Sequence, residues 1–115
     1  MNSTNLTLSK YQAAAARTIN RELTKEEMIL HALHGLVAEV GEIHSMYQKR
    51  YQGHQDSLDH LVKEGGDLMW FLAELFTAYG VDLGDVGLVN IKKLMARYPD
   101  GFETERSLVR KDGDI

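Results

Sequence analysis

Cysteine is absent from the 115 residues, which excludes both a disulfide framework and a thiol nucleophile. A chain without such staples is compatible with a reducing compartment, and the cytoplasm is the expected location. Proline is nearly absent too: Pro99 stands alone, so everything before it is free to be helical. No apolar run is long enough to span a bilayer, and no membrane partner is expected. Met1-Asn2-Ser3-Thr4-Asn5 lacks the basic run and apolar block of a secretory leader. Positive charge is in deficit, with 13 Lys and Arg against 17 Asp and Glu, a net charge of −4. Such a chain has no general pull on a nucleic-acid backbone, so no polymeric nucleic acid is expected as partner. A small phosphate ligand would need local cations, or metal ions bridging acid to acid.

Apolar residues recur at intervals of three and four, which predicts an all-α protein. The length suits one domain, of a size that often gains by pairing with its own copy. A first helix is expected over residues 8–20, with Tyr11, Ala14, Ala15 and Ile19 on one face. Thr24-Lys25-Glu26-Glu27 reads as a capping box opening a second helix that fades near Arg50. Ile29, Leu33, Leu36, Val40, Ile43 and Tyr47 form its stripe. A third helix follows a cap at Asp56 or Ser57 and ends at Gly80. A fourth begins near Asp82 and reaches Arg97 before Tyr98-Pro99-Asp100-Gly101. Short connections predict a four-helix up-down bundle, with the long second and third helices side by side and antiparallel. The folded domain is expected over residues 1–102. Residues 103–115 read as a charged tail, or as an arm that docks on a partner.

Two acid-x-x-acid segments lie on the long helices: Glu39-Val40-Gly41-Glu42 and Glu64-Gly65-Gly66-Asp67. Residues three apart differ by about 60° in direction and about 4.5 Å in height, so each pair points the same way. Both pairs sit at the edge of an apolar stripe, and packing the stripes can bring four carboxylates face to face. Four such groups repel and lose hydration, a conflict that a hard dication removes. Among dications Mg²⁺ suits best, because it keeps waters and shares phosphate oxygens. Gly41, Gly65 and Gly66 weaken these helices and suggest close approach by a neighbour or ligand. The competing reading is that the pairs are ordinary solvated faces.

These blocks resemble the signature of the MazG-like all-α NTP pyrophosphatases, Glu-x-x-Glu followed after a spacer by Glu-x-x-Asp. The segment from His34 through Glu39 to Ile43 is similar to the first block, and that from Glu64 to Leu72 to the second. Asn90 through Phe102, which includes Lys93 and Arg97, is similar to the closing segment of single-domain members. The resemblance spans residues 8–102. It implies Mg²⁺-dependent hydrolysis (Mn²⁺ as a substitute) of a nucleoside triphosphate between the α and β phosphates, giving monophosphate and pyrophosphate. It implies that Glu39, Glu42, Glu64 and Asp67 hold the metal, with Glu39 and Glu42 catalytic. It also implies a homodimer or homotetramer whose sites draw on two chains. Some relatives carry an additional acid before the first signature glutamate; Ala38 stands there, so the general base is unassigned.

Asn90, Lys93 and Arg97 form one stripe on the fourth helix. They read either as cations favoured near a helix C-terminus or, with the resemblance, as contacts for the departing pyrophosphate. Tyr11 and Gln12 can stack on and read a nucleobase, although Tyr11 equally fits the core. Trp70 can wall a base pocket or fill the core. His31 and His34 lack a third ligand for zinc and are expected at the surface or supporting other ligands. The absence of Glu-x-x-His argues against a di-iron carboxylate bundle. The alternative function is a non-catalytic, nucleotide-binding regulatory helical dimer.

Overall fold

The computed structural model describes residues 5–55, 57–111 and 113–115. Asp56, one of the two expected caps, and residues 1–4 lie outside these. Among the described residues there are five α-helices and no strand: α1 (Leu8–Ala16), α2 (Lys25–Gln48), α3 (Leu58–Ala78), α4 (Leu83–Arg97) and α5 (Thr104–Leu108). A 3₁₀ turn, Lys49–Gln52, prolongs α2. The chain is therefore all-α. None of these helices is long and apolar enough to cross a membrane.

The helix starts follow from their caps. The Thr24 hydroxyl accepts the Glu27 amide at 3.1 Å, and the Glu27 carboxylate accepts the Thr24 amide at 2.9 Å. Ser57 accepts the His60 amide at 3.2 Å to open α3, and Asp82 accepts the Gly84 amide at 2.7 Å to open α4. Gly80, with φ +68°, closes α3 in the left-handed region that a side chain disfavours. α1 stops at Ala16, short of the expected Asn20. There the Thr18 hydroxyl and amide both donate to the Ala15 carbonyl, at 2.7 and 2.9 Å, which tightens the chain out of the α-helix.

α2 and α3 pack antiparallel, partner numbers falling on one as they rise on the other: His31 meets Glu74, Gly35 meets Phe71, and Glu39 meets Glu64 and Asp67. A methyl added at Gly35 would overlap the Phe71 ring. At Gly41, Gly65 and Gly66 it would meet nothing within 4 Å. Those three glycines are therefore not closely approached by a neighbour within the chain; between α2 and α3 the close approach is at Gly35. α1 packs on α3 and α4. Ala15, Ala73 and Leu83 form a small buried cluster there, with Tyr11, Trp70, Phe76 and Val86 against it.

Much apolar surface stays uncovered. Val37 is 76% exposed, Val62 65% and Val89 67%. The radius of gyration is 17.5 Å, against about 13 Å for a compact chain of this length. The C-terminal segment returns to the body: the Arg97 guanidinium donates to the Asp114 carboxylate, Nε to Oδ2 at 2.7 Å.

Substitution separates the glycine roles. Gly35→Ala is expected to cost about 1–3 kcal/mol by overpacking against Phe71. Gly41→Ala is expected to gain up to about 1 kcal/mol from helix propensity. Urea unfolding of both variants reads the signs; equal effects would mean that Phe71 does not seat on Gly35.

Candidate metal centre

Three of the four signature acids converge. Glu39 on α2 and Glu64 and Asp67 on α3 each offer one oxygen, and these atoms lie within 4.8 Å of one another. Their approach follows from the helix pairing, since Glu39 stands one turn beyond Gly35 and Asp67 one turn before Phe71. Glu39 and Glu64 are half-buried and Asp67 is exposed, so the cluster opens to solvent on one side.

The Glu39 carboxyl is raised to about 7, chiefly by its hydrogen bond to Glu64, then by burial and by the charges of Asp67, Glu64 and Glu42. Its Oε2 is buried without a hydrogen-bond partner. Such an atom is costly to leave unsatisfied. A hard dication such as Mg²⁺ would satisfy it, with Glu39, Glu64 and Asp67 as the residues that would hold it. The residues present therefore fit a hard dication.

Glu42 is not among the three. It lines an adjoining cavity of about 210 Å³ with Lys49, His54 and His60. His60 bridges the two places, its Nε2 lying 3.0 Å from Glu64 Oε1. His60 carried no expectation from the sequence; its position four residues before Glu64, one helical turn, is the signal that could have found it.

The remaining expected residues lie elsewhere. Gln12, expected as a nucleobase contact, is a structural tie within the chain: its amide donates to Thr77 Oγ1 at 3.2 Å and to the Val81 carbonyl at 2.9 Å, and it accepts the Leu83 amide at 2.6 Å. Both its amide donors are thereby engaged. Tyr11 packs against the core, and burial, with the charge of Asp67, holds its phenol above the usual range. Trp70 also takes the core role, its indole N–H donating to Thr18 Oγ1 at 2.8 Å.

Lys93 and Arg97 line a different cavity, of about 430 Å³, between α4 and the C-terminal segment; none of the four acids borders it. Arg97 is engaged by Asp114 there. Asn90 is exposed on the same helix. The phosphate stripe and the acids are thus not brought together within one chain. His34 is exposed, as expected. His31 supports a residue that sequence reasoning missed: Glu74, 1% exposed, whose two oxygens lie 2.8 and 2.9 Å from His31 Nδ1.

Over 85 residues, 70% of this chain and 69% of the relative, the sequence is 33% identical to the Gene 37 protein of Mycobacterium phage L5. No family model matches the chain, and no solved structure matches it.

The raised Glu39 carboxyl sets a pH dependence. Between about pH 4.5, its ordinary value, and about pH 7, the folded chain binds more protons at this site than the unfolded chain. Its contribution to stability is therefore present at low pH and lost as pH rises through that window. Melting temperatures of the metal-free protein across pH 4–8 should fall more steeply than those of Glu39→Gln, and Mg²⁺ or Mn²⁺ at pH 7.5 should restore the difference. Parallel curves for the two proteins would show that Glu39 is not held protonated.

Proposed function

Since the chain belongs to the family of the Gene 37 protein of Mycobacterium phage L5, a name that states no activity, we propose a function from the site itself: Mg²⁺-dependent hydrolysis of a nucleoside triphosphate between the α and β phosphates. One observation carries the reading. Acids from two helices meet at a buried oxygen of Glu39 that has no hydrogen-bond partner among the described residues. The arrangement agrees with the acid blocks that resemble the MazG-like pyrophosphatases.

In this reading Glu39, Glu64 and Asp67 hold the ion, and Glu42 stands at its margin towards the adjoining cavity. A bound Mg²⁺ supplies charge compensation for phosphate oxygens and lowers the pKa of a coordinated water. Water adds to the α phosphorus, the bond from that phosphorus to the bridging oxygen breaks, and monophosphate and pyrophosphate result. Ala38 offers no group to take the proton of the attacking water, which leaves the carboxylates of the cluster as acceptors. Their polar, solvent-open side admits substrate, and the core side formed by α1 and α3 excludes water.

The same reading includes a second copy of the chain. The exposed Val37, Val62 and Val89 and the extended form leave apolar surface that a copy would bury. The cations of α4, which lie away from the acids of their own chain, would reach a site only across such a contact.

Incubation with ribo- and deoxynucleoside triphosphates and Mg²⁺ is expected to release pyrophosphate and monophosphate. Glu39→Gln is expected to reduce release to the level of metal-free protein, with the fold retained by circular dichroism. Release of orthophosphate instead, or full activity in Glu39→Gln, would refute the reading.

A further inference from the structure

The cavity beside the acid cluster has a composition of its own. It opens where the 3₁₀ turn after α2 meets the first turn of α3. Gly53, at φ +89°, reverses the chain there, and the His54 amide donates to the Lys49 carbonyl at 3.1 Å. Lys49 and His54, on either side of that turn, both line the cavity. His60, one turn into α3, adds a third nitrogen base, and the Ser45 and Ser57 hydroxyls add small polar groups. Among the described residues no acid forms an ion pair with Lys49, although Glu42 lines the same cavity. A lysine beside an acid cluster on a chain of net charge −4 would ordinarily be drawn to a carboxylate. Here it lines the cavity instead. The volume, about 210 Å³, lies below the roughly 300 Å³ at which pockets begin to take drug-sized ligands. It suits a compact anion rather than a nucleoside.

The geometry points to this cavity as the receptor for the pyrophosphoryl end of the substrate, and for pyrophosphate after cleavage, with Lys49 and His54 as its direct contacts and His60 as a positioning residue that holds Glu64. The inference rests on the proposed hydrolysis for its substrate, and on Glu42 and His60 for its continuity with the metal centre. It supplies from the same chain the cations that the α4 stripe, turned towards Asp114, does not bring to the acids. Lysine serves as a point charge on phosphate. The acids opposite keep the anion bound only when a dication lies between, so pyrophosphate and metal should bind together.

Calorimetric titration of the full chain with pyrophosphate, with orthophosphate, and with each again in Mg²⁺, tests this without turnover. Wild type should bind pyrophosphate in Mg²⁺ more tightly than orthophosphate, and weakly without the ion. The double variant Lys49→Ala, His54→Ala should lose at least tenfold in pyrophosphate affinity while Mn²⁺ binding, read by paramagnetic resonance, is unchanged. Lys49→Arg should stay within a few-fold of wild type. His60→Ala should weaken Mn²⁺ binding, an effect that loss of an anion contact alone would not produce. An unchanged affinity in the double variant, or its loss in Lys93→Ala instead, overturns the assignment. A protein that releases no pyrophosphate from any triphosphate, yet binds pyrophosphate through Lys49, would refute the hydrolase reading and leave this pocket assigned.

Discussion

The seat of the Phe71 ring on the bare backbone of Gly35 sets the rest of the molecule, because it fixes the register of α2 against α3. Each helix repeats about every 3.6 residues, so the facing positions recur one turn at a time in opposite senses. One turn in one direction pairs His31 with Glu74. One turn in the other pairs Glu39 with Asp67 and Glu64. A turn further, Glu42 and His60 share a cavity. Sliding either helix by a single residue would rotate these side chains by about 100° and dismantle every pair at once. The acid cluster is therefore a consequence of a packing contact, and its geometry is as firm as that contact.

Along this ladder two carboxylates are taken from water, and they are treated differently. Glu74 is the more deeply buried, yet both its oxygens face the Nδ1 of His31, and the Trp70 and Phe71 rings flank that imidazole. A buried acid with a hydrogen-bonding partner of this kind is self-sufficient. Glu39 shares a hydrogen bond with Glu64 and feels the charges of Asp67, Glu64 and Glu42, while its Oε2 has no hydrogen-bond partner. The same pair of helices thus carries an internal comparison. Glu74 has a histidine against both its oxygens; in the acid cluster the histidine, His60, lies against Glu64 and leaves Glu39 Oε2 without a partner. That difference supports the proposed reading, in which a dication would answer Glu39.

The all-helical class, the capping box at Thr24, the stops at Gly80 and Arg97 and the meeting of Glu39 with Glu64 and Asp67 were legible in the sequence, because each depends on helical periodicity or on a cap a few residues long. What was not legible depends on contacts between distant segments. Gln12 looks like a polar residue on an exposed face until Thr77, Val81 and Leu83 surround it. Gly41, Gly65 and Gly66 stand beside acids and invite a functional reading, whereas Gly35 carries no such neighbour and yet makes the contact. Glu74 reads as a solvated helix residue, since only the register of α2 shows that His31 lies opposite. The engagement of Arg97 by Asp114 joins two positions across a turn and a short helix whose path no periodicity gives.

The cations make the same point about chain and assembly. Helical spacing aligns Asn90, Lys93 and Arg97 on one stripe, but spacing within a helix says nothing of what that stripe faces. α4 packs on α1, and its basic end closes on the C-terminal segment, so in one chain the stripe and the acids serve different cavities. Lys49 and His54 have no helical pattern, yet the turn at Gly53 brings them beside Glu42. A proposed phosphate ligand can therefore be met by cations of its own chain near the acids, by those of a second copy covering the exposed apolar faces, or by both. The two sources differ in kind. In the proposed reading, contacts from the turn would be available in each folded monomer, while contacts from α4 would require assembly and make the site depend on protein concentration.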